Sequence, residues 1–224
     1  ALLPKEGFMA TPRGIFAAHG APEKDVCFVF PGQGSQYVRM GESVAMTYND
    51  ARDRWDHATT VVPGLGDVVF PRASFTADAE TREQAQLTKT EWAQPAIGAA
   101  SLATLALLQK VGLKPVATCG HSFGEISALH AAGVLTLDDA VRIARARGER
   151  MADAAKLPGA MTAVIGTRAD VEAAIKGLAD VVVANHNAPN EVVVSGGTEA
   201  IANAEKVLAE RGLKSKRLNV ATAF

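Results

Sequence analysis

Val116-Ala117-Thr118-Cys119-Gly120-His121-Ser122-Phe123-Gly124-Glu125 joins a short apolar run to a serine flanked by glycines, and helix-compatible residues follow to Ala132. The pattern predicts a strand over 116–119, a tight turn at Ser122 and a helix over 123–132. Gly-x-Ser-x-Gly between a strand and a helix is the arrangement that lifts a serine hydroxyl clear of a sheet on a strained elbow. The N–H groups that open the helix at Phe123 then face any oxygen on a carbon under attack, and the helix dipole favours negative charge there. Ser122 is thus a candidate nucleophile, and the N–H of Phe123 a candidate oxyanion donor.

Val26-Cys27-Phe28-Val29-Phe30 is a continuous apolar run broken by Pro31-Gly32-Gln33-Gly34-Ser35, which predicts a buried parallel strand feeding a loop. A long Ala- and Leu-rich helix is expected over 92–111, with Pro95 near its start and Gly112 at its stop. A further helix capped by Thr136 runs to about Ala155. Strand and helix alternate over residues 25–157, as in an α/β domain built on a parallel sheet. After Pro158 the rhythm becomes strand 160–166, helix 168–177, strand 180–186, strand 191–196, helix 198–211 and strand 214–219. Thr167 and Thr198 stand as N-caps, and Asn187-Ala188-Pro189-Asn190 is a turn. This βαββαβ order predicts a small ferredoxin-like unit over 158–220, inserted before the chain returns to the large subdomain at 221–224. Residues 1–24, with glycines and prolines before the first strand, read as a linker from an upstream domain.

With 224 residues, 48% of them apolar, the chain can bury a full core. Lys plus Arg number 23 against 24 Asp plus Glu, so no charge excess exists to attract nucleic acid or an anionic membrane. No apolar run approaches a membrane span or a signal-peptide centre. Cys27 and Cys119 fall in apolar runs and are expected in buried strands, not in a disulfide or metal site; a reducing, cytoplasmic setting fits.

On the helix after Thr136, Leu137, Ala140, Ile143, Ala144, Arg147 and Met151 share one face at about 100° per residue. Arg147 is then a cation in an apolar stripe, and it needs a carboxylate partner. Spacing alone favours an internal salt bridge, and a ligand carboxylate in a two-pronged grip is the alternative. The loop 31–36 lacks the Lys of a P-loop, and Tyr37 stands where a dinucleotide fingerprint needs its third glycine. Its glycines would instead let the backbone at Gln33 approach a substrate and offer a second oxyanion donor.

Together these motifs resemble the malonyl-CoA:acyl carrier protein acyltransferases, and especially the acyltransferase domains of polyketide or polyunsaturated fatty acid synthases. The likeness rests on Phe30-Pro31-Gly32-Gln33-Gly34-Ser35-Gln36, Gln94-Pro95-Ala96, Gly120-His121-Ser122-Phe123-Gly124-Glu125, Arg147-Gly148 and Gly159-Ala160-Met161. It implies an α/β-hydrolase-like large subdomain whose Ser122 is acylated and whose oxyanion hole is formed by Gln33 and Phe123. Arg147 would hold the malonyl carboxylate, with Gln94 lining the pocket. Malonyl would pass from coenzyme A to the phosphopantetheine thiol of an acyl carrier protein, with no bound cofactor. The upstream domain implied is a ketosynthase. In the family's multidomain members, Ala-Phe before the catalytic histidine goes with malonyl and Ala-Ser with methylmalonyl, so Ala223-Phe224 points to malonyl, with Phe224 limiting room for a methyl branch. The resemblance places the general base at position 225, directly after Phe224, and a further C-terminal part of the large subdomain beyond it. The chain is therefore expected to be truncated or nicked, with its own C-terminal fragment as a candidate partner chain, and nearly inactive in turnover. His19, His57, His121, His130 and His186 read as surface or structural histidines. An α/β-hydrolase-type thioesterase and a base-less docking module stand as the alternatives.

Overall fold

The computed structural model describes residues 7–10, 16–19, 25–73, 76–155 and 158–218. Gly7–Ala10 (β1) and Phe16–His19 (β2) pair antiparallel, so the stretch read as linker contains a two-stranded ribbon. Cys27–Phe30 (β3) is followed by Glu42–Thr47 (α1), Asn49–Val61 (α2), Leu65–Val69 (α3) and Ala77–Thr88 (α4). Then come Thr90–Lys110 (α5), Ala117–Gly120 (β4), Gly124–Ala131 (α6) and Leu137–Ala154 (α7). Apolar on nearly all sides, α5 is buried continuously from Ala93 to Ala99 and forms the axis of this layer. Its core neighbours include Trp55, Leu65, Leu87, Phe123 and Val141, all buried. The hydroxyl of Thr136 accepts from Asp139 N at 3.1 Å and starts α7 as expected.

β3 and β4 pair in parallel, with Phe30 opposite Gly120. The loops leaving their C-terminal ends therefore emerge side by side, and this places the site. The expectation that both strands are buried fails on one face. Side chains alternate across a strand, and while Phe30 is buried, Val29 is 72% exposed. Cys27 and Cys119 are free and exposed. Among the described residues this sheet has only two strands, and nothing covers its outer face.

The second layer runs Ala160–Ile165 (β5), Arg168–Ile175 (α8), Val181–Ala188 (β6), Glu191–Gly196 (β7), Thr198–Glu210 (α9) and Lys214–Arg217 (β8). The sheet order is β6-β7-β5-β8, with every pairing antiparallel. Val164, Val171, Val192, Val194, Ile201 and Leu208 fill the space between sheet and helices. Thr167 caps α8, accepting from Asp170 N at 3.2 Å, whereas Thr198 is no cap. Gly197 takes that position in α9, and its N–H donates to Asp180 Oδ2 at 2.9 Å. Among the described residues the architecture is mixed α/β, with one parallel two-stranded sheet, one antiparallel four-stranded sheet and the β1–β2 ribbon.

Candidate active site

Ser122 adopts φ 54°, a left-handed backbone that costs an L-residue energy and recurs at nucleophile elbows. Contact at the turn leaves no alternative path. A Cβ on Gly124 would lie 2.1 Å from Phe30 O, so α6 starts hard against the end of β3. A Cβ on Gly32 would lie 2.4 Å from His121 O, so the loop after β3 runs along the elbow itself. Gln33 follows that contact directly. The backbone N–H groups of Gln33 and Phe123 have no hydrogen-bond partner among the described residues, as donors kept for a ligand require. The Phe123 ring is buried and anchors the turn in the core.

Arg147 Nη2 lies 3.3 Å from Ser122 Oγ. Its Nη1 is buried without a hydrogen-bond partner among the described residues. Burial lowers the guanidinium's pKa, and the negative charge of Glu125 only partly opposes this. The internal salt bridge that spacing favoured does not form: no carboxylate pairs with Arg147 among the described residues. The helix is also rotated from the sequence reading. Its buried stripe is Ala140, Val141, Ala144 and Gly148, which puts Arg147 on the flank of the stripe and leaves Ile143 exposed.

Gln94 is fully buried. Its Nε2 donates toward Gln33 Oε1 at 3.5 Å and lies 3.1 Å from Met151 Sδ, while its Oε1 is buried and unpartnered among the described residues. Gln33 Nε2 donates to Thr90 Oγ1 at 3.3 Å. The structure thus joins Gln33 to Gln94, Ser122 to Arg147, and the Gln33 loop to the elbow. Two buried polar atoms, one acceptor and one donor, remain open at residues singled out from sequence. Phe224 lies outside the described residues.

Among the described histidines none is hydrogen-bonded to Ser122 Oγ. His130 Nδ1 is 2.9 Å from Leu135 O, a structural contact, and His57 Nε2 is 3.6 Å from Asp138 Oδ1. His121 Nε2 lies 3.2 Å from Asn187 Oδ1, which ties the elbow to β6. Sequence reasoning did not foresee that contact or the parts played by Thr90 and Arg145, and it placed Met151 only on the helix face of Arg147. A threonine at the first turn of α5, four residues before Gln94, was the only local hint.

The model of the acyl transferase domain family matches residues 27–224. The chain is 37% identical over 199 residues to the malonyl CoA-acyl carrier protein transacylase of Bacillus subtilis, covering 84% of this chain and 59% of that protein. It resembles the crystal structure of the acyltransferase domain from the second module of the salinomycin polyketide synthase, with TM-score 0.79 and 33% identity over 96% of this chain and 49% of that one. A type II polyketide synthase acyl carrier protein in complex with its malonyl-transacylase gives TM-score 0.73 and 32% identity, covering 89% of this chain and 64% of that one. The chain therefore spans about half to two thirds of the length of these relatives. A strained serine between a strand and a helix, seen together with a family match over residues 27–224, makes this chain a member of the acyl transferase domain family.

Proposed function

We propose that this chain is the serine-bearing part of a malonyl transacylase that moves malonyl from coenzyme A to the phosphopantetheine thiol of an acyl carrier protein. The observation that carries the proposal is Arg147, with Nη2 at 3.3 Å from Ser122 Oγ and a buried Nη1 left open. A cation held beside a nucleophile and hydrogen-bonded to no carboxylate among the described residues fits a substrate that brings its own. Acetyl leaves that donor unpaired, whereas malonyl satisfies it.

In the first half-reaction Ser122 Oγ attacks the thioester carbonyl and gives its proton to a general base. The N–H groups of Gln33 and Phe123 hold the oxyanion. The C–S bond breaks, and coenzyme A leaves as the thiol, taking the proton back. The phosphopantetheine thiol then attacks the acyl-serine by the same path in reverse, restoring Ser122. Gln94, with its free Oε1, lines the pocket, and Phe224 restricts branching at the malonyl carbon. The acyl carrier protein is read as the acceptor because a structural relative was solved with one.

The βαββαβ order and the β6-β7-β5-β8 sheet support reading residues 158–220 as a ferredoxin-like subdomain set into an α/β-hydrolase-like one at 25–157, with 221–224 returning to it. Residues 1–24 are read as the connection from a ketosynthase, and the compartment as cytoplasmic. No helix among the described residues is long and apolar enough to cross a membrane.

Incubating the full polypeptide with malonyl-CoA and measuring intact mass tests the proposal. One malonyl adduct is expected, located on Ser122 by peptide mapping and lost in Ser122→Ala. Rapid release of free malonate with no adduct would overturn transfer in favour of hydrolysis.

A further inference from the structure

Pro95 sits inside α5, where each interior N–H closes on the carbonyl four residues back. Proline has no N–H, so the carbonyl of Glu91 loses its partner within the helix. Another helix supplies one: Arg145 Nη1, from α7, donates to Glu91 O at 3.1 Å. The same guanidinium stacks 4.6 Å from the Trp92 ring centroid, and its Nε donates to Glu149 Oε1 at 2.6 Å. Three contacts in three directions fix its plane.

The junction is close elsewhere as well. A Cβ on Gly148 would lie 2.6 Å from Thr90 O and 2.8 Å from Glu91 Cα, so α7 meets the first turn of α5 backbone to backbone. A close backbone contact sets the separation of the two helices, and the side chains on either side of it set the rotation of α7. Arg145 and Arg147 flank its buried stripe on opposite sides, about 160° apart at 100° per residue. Any rotation that released Arg145 from Glu91 and Trp92 would move Arg147 relative to Ser122.

We propose that Arg145 is a positioning residue for Arg147, acting through the Glu91 carbonyl that Pro95 frees and through the Trp92 ring. This rests on reading Arg147 as the partner of the malonyl carboxylate. Arg145 touches no reacting atom. It sets the helix angle at which Arg147 reaches Ser122.

The test compares acylation rates with malonyl-CoA and acetyl-CoA in the full polypeptide, read by quenched intact mass. The readout is their ratio, which a general loss of stability leaves unchanged. Arg145→Met is expected to lower the ratio about tenfold, and Arg145→Lys, which keeps a donor and a cation, to recover most of it. In a Pro95→Ala background the restored N–H closes on Glu91 O, so Arg145→Met should lower the ratio by no more than about threefold. If Arg145→Met does not fold, Arg145→Gln carries the same comparison. An unchanged ratio in the Arg145 variants, with Arg147→Ala abolishing the preference, overturns the proposal alone, and so does an equal loss in both backgrounds. An unchanged ratio in Arg147→Ala overturns the carboxylate assignment beneath it.

Discussion

Ser122 holds a backbone angle that glycine would adopt freely. A non-glycine residue in the left-handed region costs about 1–2 kcal/mol, and a glycine returns roughly 0.5–1 kcal/mol of that through its freer unfolded chain. Strain therefore wins narrowly. Ser122→Gly should raise the melting temperature by about 2 °C while abolishing the malonyl adduct; calorimetry alongside intact mass checks both, and a lowered melting temperature would show that the turn is not strained. At Gly124 the balance runs the other way. An added Cβ meets the Phe30 carbonyl at 2.1 Å, and Gly124→Ala should destabilise the protein by about 3 kcal/mol or more, measured by denaturant midpoint.

Two helices show what the sequence disclosed of the elements and what it withheld. The βαββαβ succession was legible because each apolar run has its own period and Thr167 marks a start. The nucleophile was legible because strand, glycines and serine are contiguous. What Arg145 does was not, since its partners Glu91 and Trp92 are more than fifty residues away and the need for them arises from Pro95 on another helix. The rotation of α7 was hidden for a similar reason: Gly148, small enough to pass as neutral in a polarity pattern, is the point of closest approach. Gly148→Ala should cost about 1–3 kcal/mol and weaken malonylation, and chemical denaturation checks the first part. In the second layer, Arg217 donates to both oxygens of Glu205 at 2.7 Å, joining β8 to α9. That hydrogen bonding lowers the Glu205 pKa below its ordinary 4.5 against an opposing effect of burial. A depressed carboxyl pKa stabilises fully above the unfolded value, and the contribution fades as pH falls below it through the folded value. Glu205→Gln should thus lose stability relative to the parent at neutral pH, with the difference shrinking as pH falls below about 4.5; melting curves across pH read it directly.

At the scale of the whole molecule, the outer face of the β3–β4 pair is left open among the described residues. Cys27 and Cys119 are both free there, and desolvation, followed by the neighbouring Cys119 thiol, raises the Cys27 pKa above 9.0. Both thiols should react with a maleimide without denaturant, Cys27 more slowly than a thiol of ordinary pKa at the same pH, and a native titration that finds neither would contradict the open face. The pairing of Phe30 with Gly120 has a kinetic side. These residues are about ninety apart, and between them lie five helices that can fold on local contacts. Closing so long a loop is entropically unfavourable, and a parallel pair gains nothing until it is closed. Ser122 and the Gln33 loop are thus expected to meet late in folding. Acylating Ser122 should then leave the refolding rate almost unchanged and slow unfolding instead, so that the acylated form which the proposed function requires lasts longer than the free protein.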